Sequence, residues 1–473
     1  MSTRLLCAAL TLSCACVAPL GPASDRTRDA REPSDAADPK LPPDEDPPPL
    51  GGDACAEHQQ RLEALADRLE RERVELDIPG AAIALVVDDC LFARGLGVQA
   101  PGGAPVDEHT RFQLASMTKT LTALTALSLE EDGVIDRAAP VADLVSTTSN
   151  ATLEELLAHR AGYPTDLPTA TSLDLATYLD DNASAPMWAP PGEVWLYSNP
   201  GFALAGRALE VAAGAPFEQL VQERVFAPAG MSDAIMGATL DGAEPNMARG
   251  HSGDPARPEL IEPTDLYLAS TYYGPMGGAF ASAADLAHLM HAFFGDAVVS
   301  STSLDDMARS RGPAWGSAIG YGQGLFSMYE GTVFHGGSVA GFLSEMDLHP
   351  EARVGVAILS AADWAFPSET LNEAFAELWP AGPPPPAAEG PSDAEVVGSY
   401  HDDVVLGDVV VSRAGGALSM SFDGTSYPLT RWAPGTFSFS YPPWQMDVEV
   451  SFQRGPSGAL YLVTLLGVAA RAV

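Results

Sequence analysis

The chain has 473 residues, of which 63 are acidic and 25 basic, giving a formal charge of −38 at pH 7. That balance argues against partners built on phosphate, such as nucleic acid or anionic lipid headgroups; a solvated surface that keeps the protein soluble accounts for it. With 46% hydrophobic residues, a chain of this length can form two or three domains with a sizeable core.

The N-terminal run MSTRLLCAALTLSCACVAPL carries Arg4, a short apolar stretch over 5–13 and then small residues. This is the outline of an export leader over 1–21, with a weak basic end. Cys14 or Cys16 is a candidate lipid anchor, although neither flank is a clean lipidation signal; simple cleavage is the alternative. The mature protein is expected in the periplasm or cell envelope. Residues 22–53 are rich in Pro and Asp with almost no large apolar side chains, so they read as an extended tether. Lys40 belongs to it. The remaining cysteines, Cys55 and Cys90, form an even pair, and an oxidising compartment favours a disulfide between them over two buried thiols.

Folded sequence begins near Cys55. In AEHQQRLEALADRLERERVEL, Leu62, Leu65 and Leu69 share one helical stripe, and Pro79-Gly80 stops it. AAIALVVDDCLFARGLGV reads as two strands joined at Asp88-Asp89. Helical patterns dominate from 116 to about 294. Strand character returns in GTVFHGG, FLSEMDL and RVGVAILSA, before a helix near 368–378. A strand-bearing half built from both ends, with a helical half inserted between, is an α+β domain of two subdomains over 54–380, with a cleft where they meet. A Pro-rich linker occupies 381–395. Residues 396–473 alternate apolar and polar between Gly-rich turns, the pattern of a small all-β barrel or sandwich.

The chemistry centres on FQLASMTKTLTALTALSLEEDG. Lys119 is the only lysine outside the tether, and it stands three residues after Ser116. At that spacing on a helix a hydroxyl and an amine share a face. A serine hydroxyl needs an adjacent base to act as a nucleophile, and a desolvated lysine can be one. The first-turn backbone N–H groups would also point at a developing oxyanion. A second element, PPGEVWLYSNPGFALAG, offers Tyr197 as a proton acceptor and Asn199 as an amide to orient a carbonyl; an ordinary helix entry, with Asn199 capping and Tyr197 packing, is the plainer reading. The third, TVFHGGSVAGF over 332–342, is a strand edge bearing His335 with Gly336 and Gly337, where backbone can approach a ligand closely.

These elements, in order with TLEELLAHRAGYP, GPMGGAFASAADLAHLM and FHGGSVAGFLSEMDLHP, resemble the serine β-lactamase/DD-peptidase superfamily, in its class C-like branch of penicillin-binding-protein-related hydrolases and esterases. The resemblance covers about 77–378. The C-terminal module, with GSYHDD, PLTRWAPGTFSFS and VSFQRGPSGALYLVTL, looks like the small β-domain often appended to such hydrolases. The resemblance implies an antiparallel sheet flanked by helices plus a helical subdomain. By position it implies Ser116 as the acylated nucleophile, Lys119 as its activating partner, and Tyr197 as general base and then acid. Asn199 would contact the substrate amide, and His335, Gly336 and Gly337 would form the strand wall of the cleft. The backbone N–H groups of Ser116 and Ser338 would form the oxyanion hole. No metal or organic cofactor is implied.

The chain departs from the superfamily's usual Lys-Thr-Gly or His-Thr-Gly at 335–337, and no Lys or Arg lies between Glu330 and Ala352, where Glu345 adds negative charge. A site of this kind should hold a free carboxylate poorly. The expected substrate is therefore a small molecule or peptide cleaved at an ester, amide or D-amino-acid peptide bond. Hydrolysis of β-lactams or peptidoglycan peptides is the alternative, and a non-catalytic ligand-binding or scaffold role on the same fold is a third. GGSVA over 336–340 nearly makes the elbow that would promote Ser338 to nucleophile, but its fifth residue is Ala340. Asp285, His288 and His291 recur every three residues without a further clear ligand, which is the polar face of a helix more than a metal site. The oligomeric state is left open.

Overall fold

The computed structural model describes residues 48–147, 149–166, 174–237, 245–261, 270–314, 319–328, 331–380, 390–441, 446–464 and 466–472. The leader with Cys14 and Cys16, the tether up to residue 47, and linker residues 381–389 lie outside the described residues. The last tether residues do contact the folded domain, since Leu50 forms a bridge with Leu91 and Gly51 donates to the Leu91 carbonyl.

Seven antiparallel strands make the main sheet: β1 (Gly80–Val87), β2 (Cys90–Gly97), β3 (Gly320–Tyr321), β4 (Phe326–Ser327), β5 (Val333–Val339), β6 (Phe342–His349) and β7 (Val354–Ser360). Their order across the sheet is β2-β1-β7-β6-β5-β4-β3. The two ends of the domain meet within this sheet, where Ala81 pairs with Ser360 and Val87 with Val354. All eight residues of β1 are buried because both faces of the sheet are covered. Ile83 and Leu85 pack with Leu62, Leu65 and Leu69 of α1 (Gln59–Glu75). Ala82, Ala84 and Val86 face the opposite way, into the larger core shared with the helical subdomain. The two-residue period of a strand sorts them. Cys55 and Cys90 form a disulfide that ties the chain before α1 to the start of β2.

The helical subdomain is built around α2 (Thr118–Glu131), whose residues 118–129 are all buried. A helix buried on every side lies in the middle of a core, and its Thr120, Thr122 and Thr125 hydroxyls donate to backbone carbonyls there. Against it lies α3 (Asn199–Ala213), opened by the Ser198 side chain accepting from Gly201 N and closed by Gly214 at φ 69, the left-handed position that favours glycine. Next, α4 (Ala283–Ala292), started by a Ser282–Asp285 capping box, packs on the sheet, and α5 (Ser368–Leu378) joins α1 on the far face. The inserted region is not purely helical as its periodicity suggests. Ala279–Ala281 pairs with Phe112–Gln113 and Ile235–Met236, and Gly250–Asp254 forms a hairpin with Arg257–Ile261.

The C-terminal domain is a nine-stranded antiparallel sheet: Gly398–Asp402, Gly407–Ala414, Ala417–Phe422, Thr425–Pro428, Thr430–Ala433, Thr436–Tyr441, Met446–Arg454, Leu460–Thr464 and Gly467–Arg471, numbered β8–β16. Its order is β11-β10-β9-β8-β16-β15-β14-β13-β12, and edge strand β11 comes up against β13, nearly closing a barrel. Val409, Val411, Leu418, Met420 and Phe422 fill its interior.

Candidate active site

Ser116 sits in a single tight turn, Ala115–Met117, immediately before α2. Ala115 has φ 47, a left-handed conformation that a residue with a Cβ holds only under local constraint. The constraint is visible. Leu114 N donates to Ala279 O at 2.9 Å, Leu114 O accepts from Ser344 Oγ at 2.8 Å, and Thr118 Oγ1 accepts from Ala279 N at 3.1 Å. β5 runs alongside this turn. A Cβ on Gly337 would stand 2.0 Å from Leu114 O and 3.0 Å from Ala115 Cβ, so only glycine lets strand and turn lie this close.

Lys119, on the first turn of α2, is fully buried. Its Nζ lies 3.0 Å from Ser116 Oγ and donates to Met276 O at 2.7 Å. It also stands 4.9 Å from the Tyr197 ring centroid and 5.6 Å from that of Phe202, within cation–π range of both rings. Hydroxyl, ammonium and phenol ring thus meet in one site, although they come from two separate parts of the chain.

Tyr197 precedes the Ser198 cap of α3 and is buried against Trp195, Tyr321, Phe326 and Phe334. His159 holds its backbone. Leu196 N donates to His159 O at 2.8 Å and Ser198 N to His159 Nδ1 at 3.0 Å. The imidazole ring lies 4.2 Å from the Tyr197 ring centroid. Because Nδ1 accepts, the ring proton is on Nε2. Burial, and then the charge of Lys119, pushes His159 well below the usual histidine range, so it stays neutral. From the outer side the segment is held by the C-terminal domain. Gln453 of β14 accepts from Trp195 N at 2.8 Å and donates to Trp195 O at 2.9 Å. Tyr461, Val463 and Val468 pack on Ala189, Val194 and Leu196.

Asn199 is not the cap of α3, which is Ser198. Its Nδ2 donates to Asp166 Oδ1 at 3.0 Å. His335 is fully buried, with Nδ1 2.7 Å from Gly336 O and Nε2 3.2 Å from the Tyr321 hydroxyl. Burial and the Lys119 charge lower it to about 3, so its ring is a neutral prop behind the strand. Gly336, Gly337 and Ser338 continue β5 past the Ser116 turn. Ser338 lies within that strand, not at a strand-to-helix elbow. Asp285, His288 and His291 diverge: Asp285 accepts from Ser282 N, His288 Nε2 is 3.2 Å from Pro48 O, and His291 Nε2 is 3.0 Å from Asp89 Oδ1. Among the described residues no group of three such side chains could hold a metal ion.

A family model described as Beta-lactamase matches residues 66–376, most of the chain and every element just described around Ser116 apart from those of the C-terminal domain. The chain belongs to the beta-lactamase family. Members of this family are generally serine hydrolases, and the relatives span several kinds. Penicillin-binding protein 4 of Amycolatopsis lactamdurans is 29% identical over 381 residues, covering 73% of this chain and 97% of its own. Esterase EstB of Burkholderia gladioli is 27% identical over 312 residues, covering 54% and 77%. The crystal structure of SurE with D-Leu matches with a TM-score of 0.68 over 88% of this chain and all of that one, at 22% identity, a likeness of fold.

Within this beta-lactamase fold, three side chains at the site escaped the motif reading. His159 stands inside TLEELLAHRAGYP but has no local pattern that distinguishes it from a core histidine. Asp166 follows seven residues later in a loop, and Gln453 lies more than 250 residues beyond Trp195. Each acquires its place only through contacts between segments distant in sequence.

Proposed function

We propose that the protein is a serine hydrolase that works through an acyl-enzyme on Ser116 and cleaves ester, amide or D-amino-acid peptide bonds. The observation that carries this is the 3.0 Å contact between the buried Lys119 ammonium nitrogen and Ser116 Oγ, beside the Tyr197 ring. Ser116 Oγ attacks the substrate carbonyl as its proton passes to Tyr197 and Lys119. The tetrahedral oxyanion rests on the backbone N–H groups of Ser116 and Ser338. Tyr197 then returns a proton to the leaving group, and water cleaves the acyl-enzyme in a second round of the same transfers. Asn199 steers the substrate amide. Lysine suits the second position because arginine stays charged and cannot exchange protons.

The test is intact-mass detection of an acylated protein across p-nitrophenyl esters, D-amino-acid amides and nitrocefin. An ester or amide adduct is expected in the wild type and none in Ser116→Ala. Turnover should fall by at least ~10³-fold in Ser116→Ala and in Lys119→Arg. Substantial activity in Lys119→Arg would remove lysine from the proton path. The near full-length match to a penicillin-binding protein supports a second reading, action on β-lactams or peptidoglycan peptides. Nitrocefin turnover at rates matching the best ester would favour it. A well-folded protein that no acyl donor labels would leave the binding or scaffold role. The Cys55–Cys90 disulfide suits an oxidising compartment and supports an exported enzyme, anchored through Cys14 or Cys16 if the leader is of the lipoprotein type.

A further inference from the structure

The end of β5 that carries Ser338 is held as a strand from one side. β4 pairs with β5 at Val333 and Phe334 alone, so from His335 onward its strand neighbour among the described residues is β6. On the β4 side Met328 N donates to Thr332 O at 2.8 Å. The alternation of an antiparallel ladder then turns the N–H groups of Phe334, Gly336 and Ser338 away from β6. Where the Ser338 N–H points is thus set by the β5–β6 hairpin. Its tip is the two-residue turn Ala340–Gly341, closed by the pairing of Val339 with Phe342, with Gly341 at φ 84.

Two elements distant in sequence fasten that tip. Asp363 stands three residues past the end of β7, which is itself paired on both sides with β1 and β6. Its Oδ2 accepts from Gly341 N at 2.9 Å and its Oδ1 from Gly253 N at 3.2 Å. Gly253 belongs to the hairpin of Gly250–Asp254 with Arg257–Ile261, whose base is fixed at the same place. There His251 N donates to Gly341 O at 3.2 Å and to Ala361 O at 3.1 Å, and Asp363 N donates to His251 O at 3.1 Å. A Cβ on Gly250 would stand 2.6 Å from the Phe342 ring, and one on Gly341 2.7 Å from Gly250 Cα. Turn and hairpin therefore lie backbone against backbone. A carboxylate is the strong acceptor that such a junction of N–H groups calls for.

We propose that Asp363 is a positioning residue for the reaction: by holding Gly341 N and Gly253 N it fixes the β5–β6 turn, and with it the Ser338 N–H that receives the oxyanion. This rests on the acyl-enzyme reading of Ser116 and adds to it a carboxylate that acts through the strand. Oxyanion donors work because they are in place before charge develops, so a turn left loose costs rate without loosening the substrate.

The test measures kcat and KM for p-nitrophenyl acetate together with the inhibition constant of phenylboronic acid. The tetrahedral adduct of this inhibitor on Ser116 Oγ puts an oxygen where the oxyanion would sit. In Asp363→Ala, kcat should fall by at least ~10-fold with KM within ~2-fold of the wild type, and the inhibition constant should rise by a similar factor. Both halves of the reaction pass through an oxyanion, so the loss shows in kcat whichever half is slower. A smaller amount of folded protein would lower the apparent kcat but leave the inhibition constant where it was. Asp363→Asn keeps the shape and one acceptor oxygen, and should lose at least ~3-fold in both readings; it decides the matter if the alanine variant does not fold. A wild-type inhibition constant in the folded variants, whether or not kcat falls, overturns the positioning role alone. A wild type without Ser116-dependent turnover of any p-nitrophenyl ester overturns the acyl-enzyme reading and the positioning role with it.

Discussion

Two histidines behind Ser116 determine part of how the fold answers to acid. His335, lowered to about 3, and His159, lowered well below its ordinary range, are neutral in the folded protein because burial and the Lys119 charge disfavour a second proton. In the unfolded chain both titrate near 6.5. Below that pH the unfolded state binds protons that the folded state refuses, so stability falls as pH drops from about 6.5 towards 3. Asp285 runs the other way. Burial raises it to about 6, so the stability linked to its protonated form is present below the usual carboxylate range and is lost as pH rises through about 6. We expect His335→Gln to flatten the acid limb of a Tm-against-pH curve and Asp285→Asn to remove the loss of stability that Asp285 contributes as pH rises from about 4 to 6. Parallel curves for wild type and His335→Gln between pH 6.5 and 4 would contradict the neutral assignment.

Among the elements, β5 and the Ser116 turn depend on a single atom's absence. Gly337→Ala puts a Cβ against Leu114 O at 2.0 Å, so the strand or the turn must move. Overpacking of this kind costs about 1–3 kcal/mol, and a shift of ~1 Å in the nucleophile costs on the order of 10²-fold in rate. Thermal unfolding and kcat for an activated ester should report both losses; an alanine variant with wild-type kcat would mean that the turn tolerates displacement. Much at this scale is legible in the sequence. The Leu62, Leu65 and Leu69 stripe, the unbroken apolar run of β1 and the alternation in β9 and β10 each state a period and a number of buried faces. The short strands at Phe112–Gln113, Ile235–Met236 and Ala279–Ala281 are too brief to show a period. The hairpin Gly250–Ile261 carries mostly exposed Gly, Pro and charged residues, so no apolar alternation marks it. Ser116, Lys119 and Tyr197 were visible as candidates because their chemistry is local and rare, and the structure brings the three together. His159 and Asp166 were not, because a histidine or an aspartate means nothing until its neighbours are known.

Across the whole molecule, the C-terminal domain reaches the candidate site through Gln453 and an apolar contact beside it. Gln453 pairs with both the N–H and the carbonyl of Trp195, two residues before Tyr197, and the Tyr461, Val463 and Val468 contact backs it. Losing two such hydrogen bonds costs about 1 kcal/mol each. Gln453→Ala should lower kcat by ~10-fold with a smaller change in KM, since the substrate contacts stay while the phenol loosens. Unchanged kcat would mean that His159 alone is enough to hold Tyr197.

The pairing of Ala81 with Ser360 within the main sheet also bears on how the chain reaches this state. Strand β1 emerges early from the ribosome yet has no partner on one side until β7 has followed, with the whole helical insertion in between. Contacts this distant in sequence make for slow folding. During synthesis the growing polypeptide therefore remains unlocked, and its middle strands join only when nearly all of the beta-lactamase domain has been made.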